Sequence, residues 1–500
     1  MDTQHVLQEC RMDSVLKTLG IKSKSAHDLF SEQSKKWTTN LKTLEARSQA
    51  WHNLKGSPDT WRPLLVKLLE NESIIRSLDP ATASESQTED WSQILFTEQL
   101  ASLNFVPFVL MYVALSKIIL APLIAWSMPF MSLILPFLAL KFVYRLPITW
   151  EMYWDQMSPM IFGRRGQQMD IGTLLQWGSM LVSYAHGMYL PYTSAKHCYK
   201  IDQLMIKGSK AVVESIQSLR KIADIWTSYG LRKPWTFPDP STYGDERQVL
   251  AWLIEDKTLL PQIYRAIGQV EITAAICNSS LVPVRWRQSS IPMCKMVDAV
   301  DPLLEEEKRV PFTLIMGATG PTGHHAICTG PNRGGKSTFL RSTLTNLALA
   351  HLWGVAFAKE CVLTPVDWLI SSLRLEDRPG QASLFEREVS VAGDIIERIR
   401  ENKTRGWVII DELFHTTNPP DAATASQIFL QQLWESNLTT SIVSTHLFSH
   451  AEEAPENVQR LCVDSSEENG KINYKYQVVQ GINTMSSVRE LLIESKVVQI

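Results

Sequence analysis

A strong excess of either charge sign is missing from this 500-residue chain: 49 Lys and Arg stand against 52 Asp and Glu, a formal net charge of −3. That balance argues against a uniformly basic nucleic-acid protein but leaves local basic patches open, because binding depends on where charge sits. Cysteine is sparse and scattered. The seven residues (Cys10, Cys198, Cys277, Cys294, Cys328, Cys361, Cys462) form no C-x-x-C pair and have no histidine at ligand spacing. A zinc site or a disulfide framework is therefore not expected, and a reducing compartment fits best. Residues 1–14 carry neither a basic stretch nor an apolar core, so no secretory signal is expected. Hydrophobic residues make up 45% and charged residues 20%, which excludes wholesale disorder. Five hundred residues exceed one ordinary core, so two or three domains are expected.

Charge disappears altogether from one block. Gln99–Ser116 has none, Lys117 follows, and Ile118–Leu140 again has none. About 20 apolar residues suffice to cross a bilayer, so the second run alone is long enough. Pro107, Pro122, Pro129 and Pro136 would kink helices here, which membranes tolerate where neighbours satisfy the freed carbonyls. Lys141, Arg145, Arg164 and Arg165 follow the block, while Glu85, Glu89, Asp90 and Glu98 precede it. The basic excess assigns the C-terminal flank to the cytoplasmic face. The expectation is a transmembrane hairpin over 99–145; a buried helical hairpin inside a soluble domain is the competing reading.

The rest of the N-terminal half has a soluble helical pattern. Leu41, Leu44, Trp51 and Leu54 recur at helical spacing among polar neighbours, and residues 79–92 have the polar composition of a linker. Ile201, Leu204, Met205, Ala211, Val212, Ile216, Leu219 and Ile222 form a stripe at three- and four-residue steps within 165–232, which core packing explains. A proline-rich connector covers 231–244, and a further helix is expected over roughly 245–278.

Three motifs carry chemistry. Ala326–Thr329 is a short apolar strand running into Gly330-Pro331-Asn332-Arg333-Gly334-Gly335-Lys336-Ser337, after which Thr338 opens a helix. This is G-x-x-x-x-G-K-S in the context it requires: strand, glycine-rich loop, helix. Glycines let backbone N–H groups approach phosphates at a helix N-terminus. Lys336 is expected to reach the β- and γ-phosphates of ATP, and Ser337 to ligate Mg²⁺. Trp407–Ile410 is a second apolar strand, ending in Asp411-Glu412. Asp411 is expected to hold the Mg²⁺ water shell, and Glu412 to act as general base on the attacking water. A third strand, Thr440–Ser444, ends in Thr445-His446; a histidine there can sense the γ-phosphate or orient the water.

Taken together these residues resemble the MutS mismatch-repair ATPases. Thr329–Thr338 is similar to the family's phosphate loop, where Gly-Pro-Asn before Gly-Gly-Lys-Ser-Thr is distinctive. Ser383–Val389 resembles its Ser-Thr-Phe-x-x-Glu-Met segment, Asp411–Asp421 its acidic segment, and Ser444–His446 its Thr-His. Gly268–Ala275 and Met296–Pro302 look like the helix and loop leading into the family's ATPase domain. The resemblance extends over about 265–490. It implies an α/β, P-loop ABC-type ATPase domain at 281–500, preceded by helical, lever-like regions at 1–98 and 146–280. It also implies a homodimer or heterodimer with composite sites, in which Ser383 faces the nucleotide of the other subunit and Phe312 lies near the aromatic that stacks on adenine. The sequence departs from the family at Phe414-His415-Thr416, which replaces Gly-Arg-Gly, and at Asn418, which replaces serine. The mismatch-reading domain is not matched. Phe30-Ser31-Glu32 mimics its Phe-x-Glu wedge, but so short a pattern arises by chance in a chain of this length.

Two functions follow as expectations. One is a membrane-associated MutS-like ATPase, with its ATPase domain in the cytosol or a nuclear or organelle interior, coupling hydrolysis to movement of attached helices. The other is a DNA-binding mismatch-repair or recombination ATPase, with mismatched or branched DNA as partner. A transporter ATPase ranks last, since no Leu-Ser-Gly-Gly-Gln signature is present.

Overall fold

The computed structural model describes residues 3–55, 58–162, 171–240, 244–317, 323–373, 384–401, 403–468 and 471–488, with Leu492 and Ser495. It comprises a helical N-terminal region and a C-terminal α/β region. Two compact units are formed: the first from 1–65, 222–234 and 265–500, the second from 66–221 and 235–264.

The first unit is built on a six-stranded sheet. Its spatial order is Lys471–Gln480, Val458–Glu468, His325–Thr329, Thr439–Ser444, Gly406–Ile410, Trp368–Ser372. All neighbours run parallel except the first pair. Strands of a parallel sheet are covered on both faces and so read as continuous apolar runs; Ile327, Val408, Ile409, Ile442 and Val443 are fully buried. Each such side chain contributes roughly 1.5–3 kcal/mol by leaving water. The helix Lys336–Trp353 packs against this sheet and ends at Gly354, whose φ of 73° is the left-handed conformation a helix C-cap favours.

The N-terminal helices belong to this unit rather than standing apart. Arg47 donates to the carbonyl of His351, and the backbone N–H groups of Lys22 and Ser23 donate to the Glu271 carboxylate. Phe30 packs edge-on against Trp353 and is buried, so it is a core residue.

Two buried histidines make this unit acid-sensitive. His351 donates or accepts at both ring nitrogens, to Leu347 O and from Val366 N, and stacks on Trp37 at 4.3 Å. His325 is held by Ser441 Oγ and Ser436 O. Burial pushes each imidazole down to about 4. An unfolded histidine titrates near 6.5, so between these values the unfolded chain binds more protons. Stability is therefore complete above about pH 6.5 and falls as pH drops toward 4, by about 3 kcal/mol per histidine. Thermal unfolding followed from pH 7 to 4.5 checks this: His351→Gln and His325→Gln are expected to flatten the slope, and an unchanged slope in both would refute it.

The second unit is helical. Arg247 is clamped by Asp202 at 2.6 and 3.0 Å and by Asp245 at 3.0 Å, which ties the helix Glu246–Glu255 to the long helix Ile171–Ser228. Residues expected as a linker include a helix, Glu85–Ser92, started by a capping box between Ser84 and Gln87. The helix expected over 245–278 is two, Glu246–Glu255 and Leu259–Cys277.

The uncharged block differs from expectation in a specific way. Instead of a hairpin within 99–145, one helix runs through Val109–Val143. No glycine occurs between 99 and 145 to make a tight turn. Two of the prolines lie beside a widened turn: the backbone opens to a π-turn at Ser116–Leu120, just ahead of Pro122, and again at Ala139–Val143 after Pro136, while Pro129 sits within the α-helix Ala121–Leu138. This helix is long and apolar enough to cross a membrane by length and composition, with mean hydropathy 2.1 and none of its apolar window buried. The buried-hairpin alternative fails on that exposure.

Candidate functional site

Parallel order brings three strand ends to one edge of the sheet. The strand Thr439–Ser444 lies between His325–Thr329 and Gly406–Ile410, with Ser444 opposite Cys328 and Val443 opposite Ile410. The segments that follow, 330–335, 411–412 and 445–446, therefore leave the sheet side by side, at the carboxyl ends where α/β sheets hold ligands.

The glycine-rich loop has the backbone its glycines permit. Gly330 has φ 144° and Gly335 φ 104°, both outside the range of ordinary side chains, and Arg333 is left-handed at 65°. A Cβ on Gly334 would sit 2.9 Å from Pro331 O. Pro331 is buried, Asn332 and Arg333 are exposed, and Thr338 is half-buried in the first helical turn. The loop closes around Lys336, whose Nζ donates to Gly330 O at 2.8 Å and Pro331 O at 3.2 Å. Burial lowers the Lys336 ammonium; Cys328, Glu412 and Asp411 act in the opposite direction. Both acids are thus electrostatic neighbours of this lysine.

Ser337, Asp411 and Glu412 line one cleft of about 780 Å³. Ser444, in the intervening strand, fixes both acids: its hydroxyl donates to Asp411 Oδ1 and accepts from the Glu412 N–H at 2.9 Å. Glu412 Oε1 lies 3.0 Å from His446 Nε2. That hydrogen bond, ahead of the charges of His446, His415 and Lys336, holds the Glu412 carboxyl below the usual glutamate range, so it is ionised at neutral pH. Glu412 itself is left-handed at φ 56°, which for a non-glycine residue marks a turn under constraint.

Among the described residues, no group of three or more His, Cys, Asp or Glu is gathered for a metal. A cation such as Mg²⁺ takes one or two protein oxygens and completes its shell with phosphates and waters; Ser337 and Asp411 could supply such oxygens. The loop, free of Cβ atoms where it must curl and holding an ammonium at its centre, suits an anion.

The departures after the acidic pair have structural roles. Phe414 is buried between Phe385 and Phe429. His415 Nδ1 lies 2.9 Å from both Glu412 O and Glu388 Oε1, and Thr416 Oγ1 donates to Glu388 Oε2 at 2.7 Å. The acidic turn is therefore pinned to the helix Leu384–Glu401 through Glu388. Asn418 caps the helix Pro419–Trp434 by accepting from Asp421 N–H, as a serine would.

One expected residue, Phe312, is not brought into the cleft. Phe312 is 6% exposed and packs edge-on against Phe339 at 4.9 Å, so in this conformation it offers no open face for an adenine. Tyr476 is the aromatic whose ring edge abuts Gly335 of the loop. Ser383 lies outside the described residues. Sequence reasoning missed Ser444 as the positioning residue for both acids. It also missed the helix Thr3–Glu9, from which His5, Gln8 and Glu9 reach the cleft, as does Arg11 just past the helix end. Glu9 accepts from Leu373 N–H at 2.8 Å; nothing in residues 1–14 signals this, since the partner is more than 360 positions away.

Residues 326–491 match the family model described as MutS domain V, a span that contains the glycine-rich loop from Gly330, the acidic pair and His446.

Proposed function

We propose that this chain binds ATP with Mg²⁺ and hydrolyses it, as a MutS-like ATPase. Two subunits, alike or related, would share composite nucleotide sites, with Ser383 facing the nucleotide of the other subunit. Through the helix Val109–Val143 the chain associates with a membrane, its ATPase domain in the cytosol or a nuclear or organelle interior, and hydrolysis moves the attached helices. The observation that carries the enzymatic part is the shared cleft of Ser337, Asp411 and Glu412 beside the Lys336 ammonium.

In this reading Lys336 exchanges its loop carbonyls for β- and γ-phosphate oxygens, while the loop N–H groups and the helix N-terminus hold the remaining charge. Ser337 and Asp411 hold Mg²⁺, which when bound neutralises charge on the phosphate oxygens. Glu412 takes a proton from the attacking water, and His446 keeps its carboxylate oriented. Purified chain incubated with ATP and Mg²⁺ tests the proposal by phosphate release and by ATP-dependent dimerisation in sedimentation; absence of both binding and hydrolysis would remove it.

Ser444 gives a sharper check. Ser444→Ala removes the donor to the Asp411 carboxylate and the acceptor of the Glu412 backbone N–H with little change of volume, so Asp411 loses its fixed orientation and the turn carrying Glu412 loses an anchor. Outer-shell partners of this kind are worth about 10–100-fold in metal affinity or activity. The expected result is a Mg²⁺ requirement raised roughly tenfold together with a fall in kcat; unchanged Mg²⁺ dependence would show that Ser444 does not position the site.

A DNA-binding role in mismatch repair or recombination is the second reading, favoured by the match to MutS domain V. Gel shifts with homoduplex, mismatched and branched DNA at one stated salt concentration separate the two. No binding in any nucleotide state would exclude it.

A further inference from the structure

We propose that Val109–Val143 is one arm of a membrane-crossing helical hairpin whose other arm is residues 171–195 of the long helix Ile171–Ser228. This rests on the membrane association proposed above and adds the topology.

The first argument is parity. Residues 1–65 and 265–500 belong to one compact unit. A chain that leaves that unit and rejoins it ends on the side from which it started, so the number of crossings between them is even. The helix Val109–Val143 supplies one. Between 66 and 221 one further stretch exceeds 20 residues without Asp, Glu, Lys or Arg: Ile171–Ala195, 25 residues. At 1.5 Å per residue it spans about 37 Å, more than the hydrocarbon thickness of about 30 Å. Three glycines, Gln176 and His186 dilute its hydropathy, so it does not stand out by apolarity.

The second argument is geometry within the unit formed by 66–221 and 235–264. Trp126 Nε1 donates to Met188 O at 3.4 Å. Lys117 Nζ donates to Gln93 O, three residues from Asp90, whose carboxylate lies 2.8 Å from His197 Nε2. Nine residues forward on one helix correspond to nine backward on the other, so the two are antiparallel and side by side. Continued, this register sets Leu140 level with Leu174, and the uncharged stretches coincide along their lengths.

The third argument is exposure. Leu174, Leu175, Leu181 and Val182 are each 59–69% exposed, as are Leu123 and Phe130 on the first arm, at 61% and 67%. Large apolar side chains this open, on two paired helices, suit a lipid environment. Aromatic residues stand at both ends, Tyr192 and Tyr199 near Lys117, and Tyr144 and Trp150 at the far end, as interfacial belts do.

This topology corrects the flank assignment made from 99–145 alone. In this topology Lys141, Arg145, Arg164 and Arg165 belong to the sequence that joins the two arms. Over both arms they are balanced by Lys117, Lys196, Lys200, Lys207 and Lys210 on the ATPase side, so the basic excess no longer opposes it.

Single cysteines in the full chain, in sealed vesicles with the ATPase unit outward, test the hairpin. The native cysteines are buried or, for Cys277, half-buried, so an impermeant maleimide reports the introduced thiol. Wild type is expected to resist carbonate extraction. Ser86→Cys and Lys207→Cys are expected to label in intact vesicles, and Leu146→Cys at least tenfold more after the vesicles are opened. Leu181→Arg combined with Val182→Arg should cut the carbonate-resistant fraction at least tenfold and leave ATPase activity in detergent unchanged. Equal labelling of Leu146→Cys in intact vesicles, or protection of Lys207→Cys alone, would overturn the hairpin with membrane association intact. Wild type released by carbonate and running as a dimer would instead overturn membrane association itself, the apolar faces then covering each other between copies.

Discussion

Glu412→Gln is expected to bind ATP and Mg²⁺ near normally and to hydrolyse it about 10²–10⁴-fold more slowly, the range a positioned general base supplies. The substitution keeps shape and leaves an oxygen or amide within reach of His446, so the turn it occupies has no reason to move. What it removes is basicity. The Glu412 carboxyl is held below the ordinary glutamate range, chiefly by its hydrogen bond to His446, and so is ionised and able to accept a proton at neutral pH. Bound ATP with phosphate release nearly abolished is the expected signature, read by single-turnover kinetics beside equilibrium binding. Because hydrolysis would reset the subunit interface, the variant is also expected to accumulate as an ATP-bound dimer. Normal turnover would mean that another group activates the water.

The chemistry-bearing strands were legible because each is a short, fully buried apolar run ending in polar residues. Readings of 326–329, 407–410 and 440–444 fall within one residue of the strands His325–Thr329, Gly406–Ile410 and Thr439–Ser444. Their meeting at one sheet edge was implied by parallel packing. Contacts made across long sequence distance were not legible. Ser444 looks like an ordinary strand-end serine until the neighbouring strand brings Asp411 and Glu412 against it. Glu9 reaches Leu373 with no local pattern. Phe414 and His415 read as departures, yet they anchor the acidic turn to packed phenylalanines and to Glu388. The apolar block was visible from its lack of charge, but its partner helix was not, because glycines and polar residues within 171–195 weaken the periodic and hydropathic signal. Proline was misleading in the same region: it suggested interruption, whereas the helix continues past it, with π-turns beside Pro122 and Pro136.

Lys336→Ala is expected to weaken ATP binding at least about 100-fold, a larger binding loss than any other single change in the cleft, since a charge-assisted contact to a doubly charged phosphate end disappears. The reason is electrostatic as well as local. Asp411 and Glu412 leave the sheet beside the loop, and the Lys336 ammonium is the cation both acids feel. Without it the loop has no ammonium where a polyanion would enter, and Mg²⁺ with the arginines lining the cleft, Arg11, Arg341 and Arg387, would have to offset the carboxylates and the phosphates. The alanine also leaves Gly330 O and Pro331 O without the donor that closes the loop. Lys336→Arg separates the two effects. It restores charge, but a planar guanidinium is a poor substitute for a compact ammonium inside a closed loop, so binding is expected to stay impaired. Titration with a fluorescent ATP analogue, alongside thermal unfolding to show that the sheet is intact, reads the result. An alanine variant that folds and binds ATP as tightly as wild type would mean that the glycine loop and the two acids do not share a ligand.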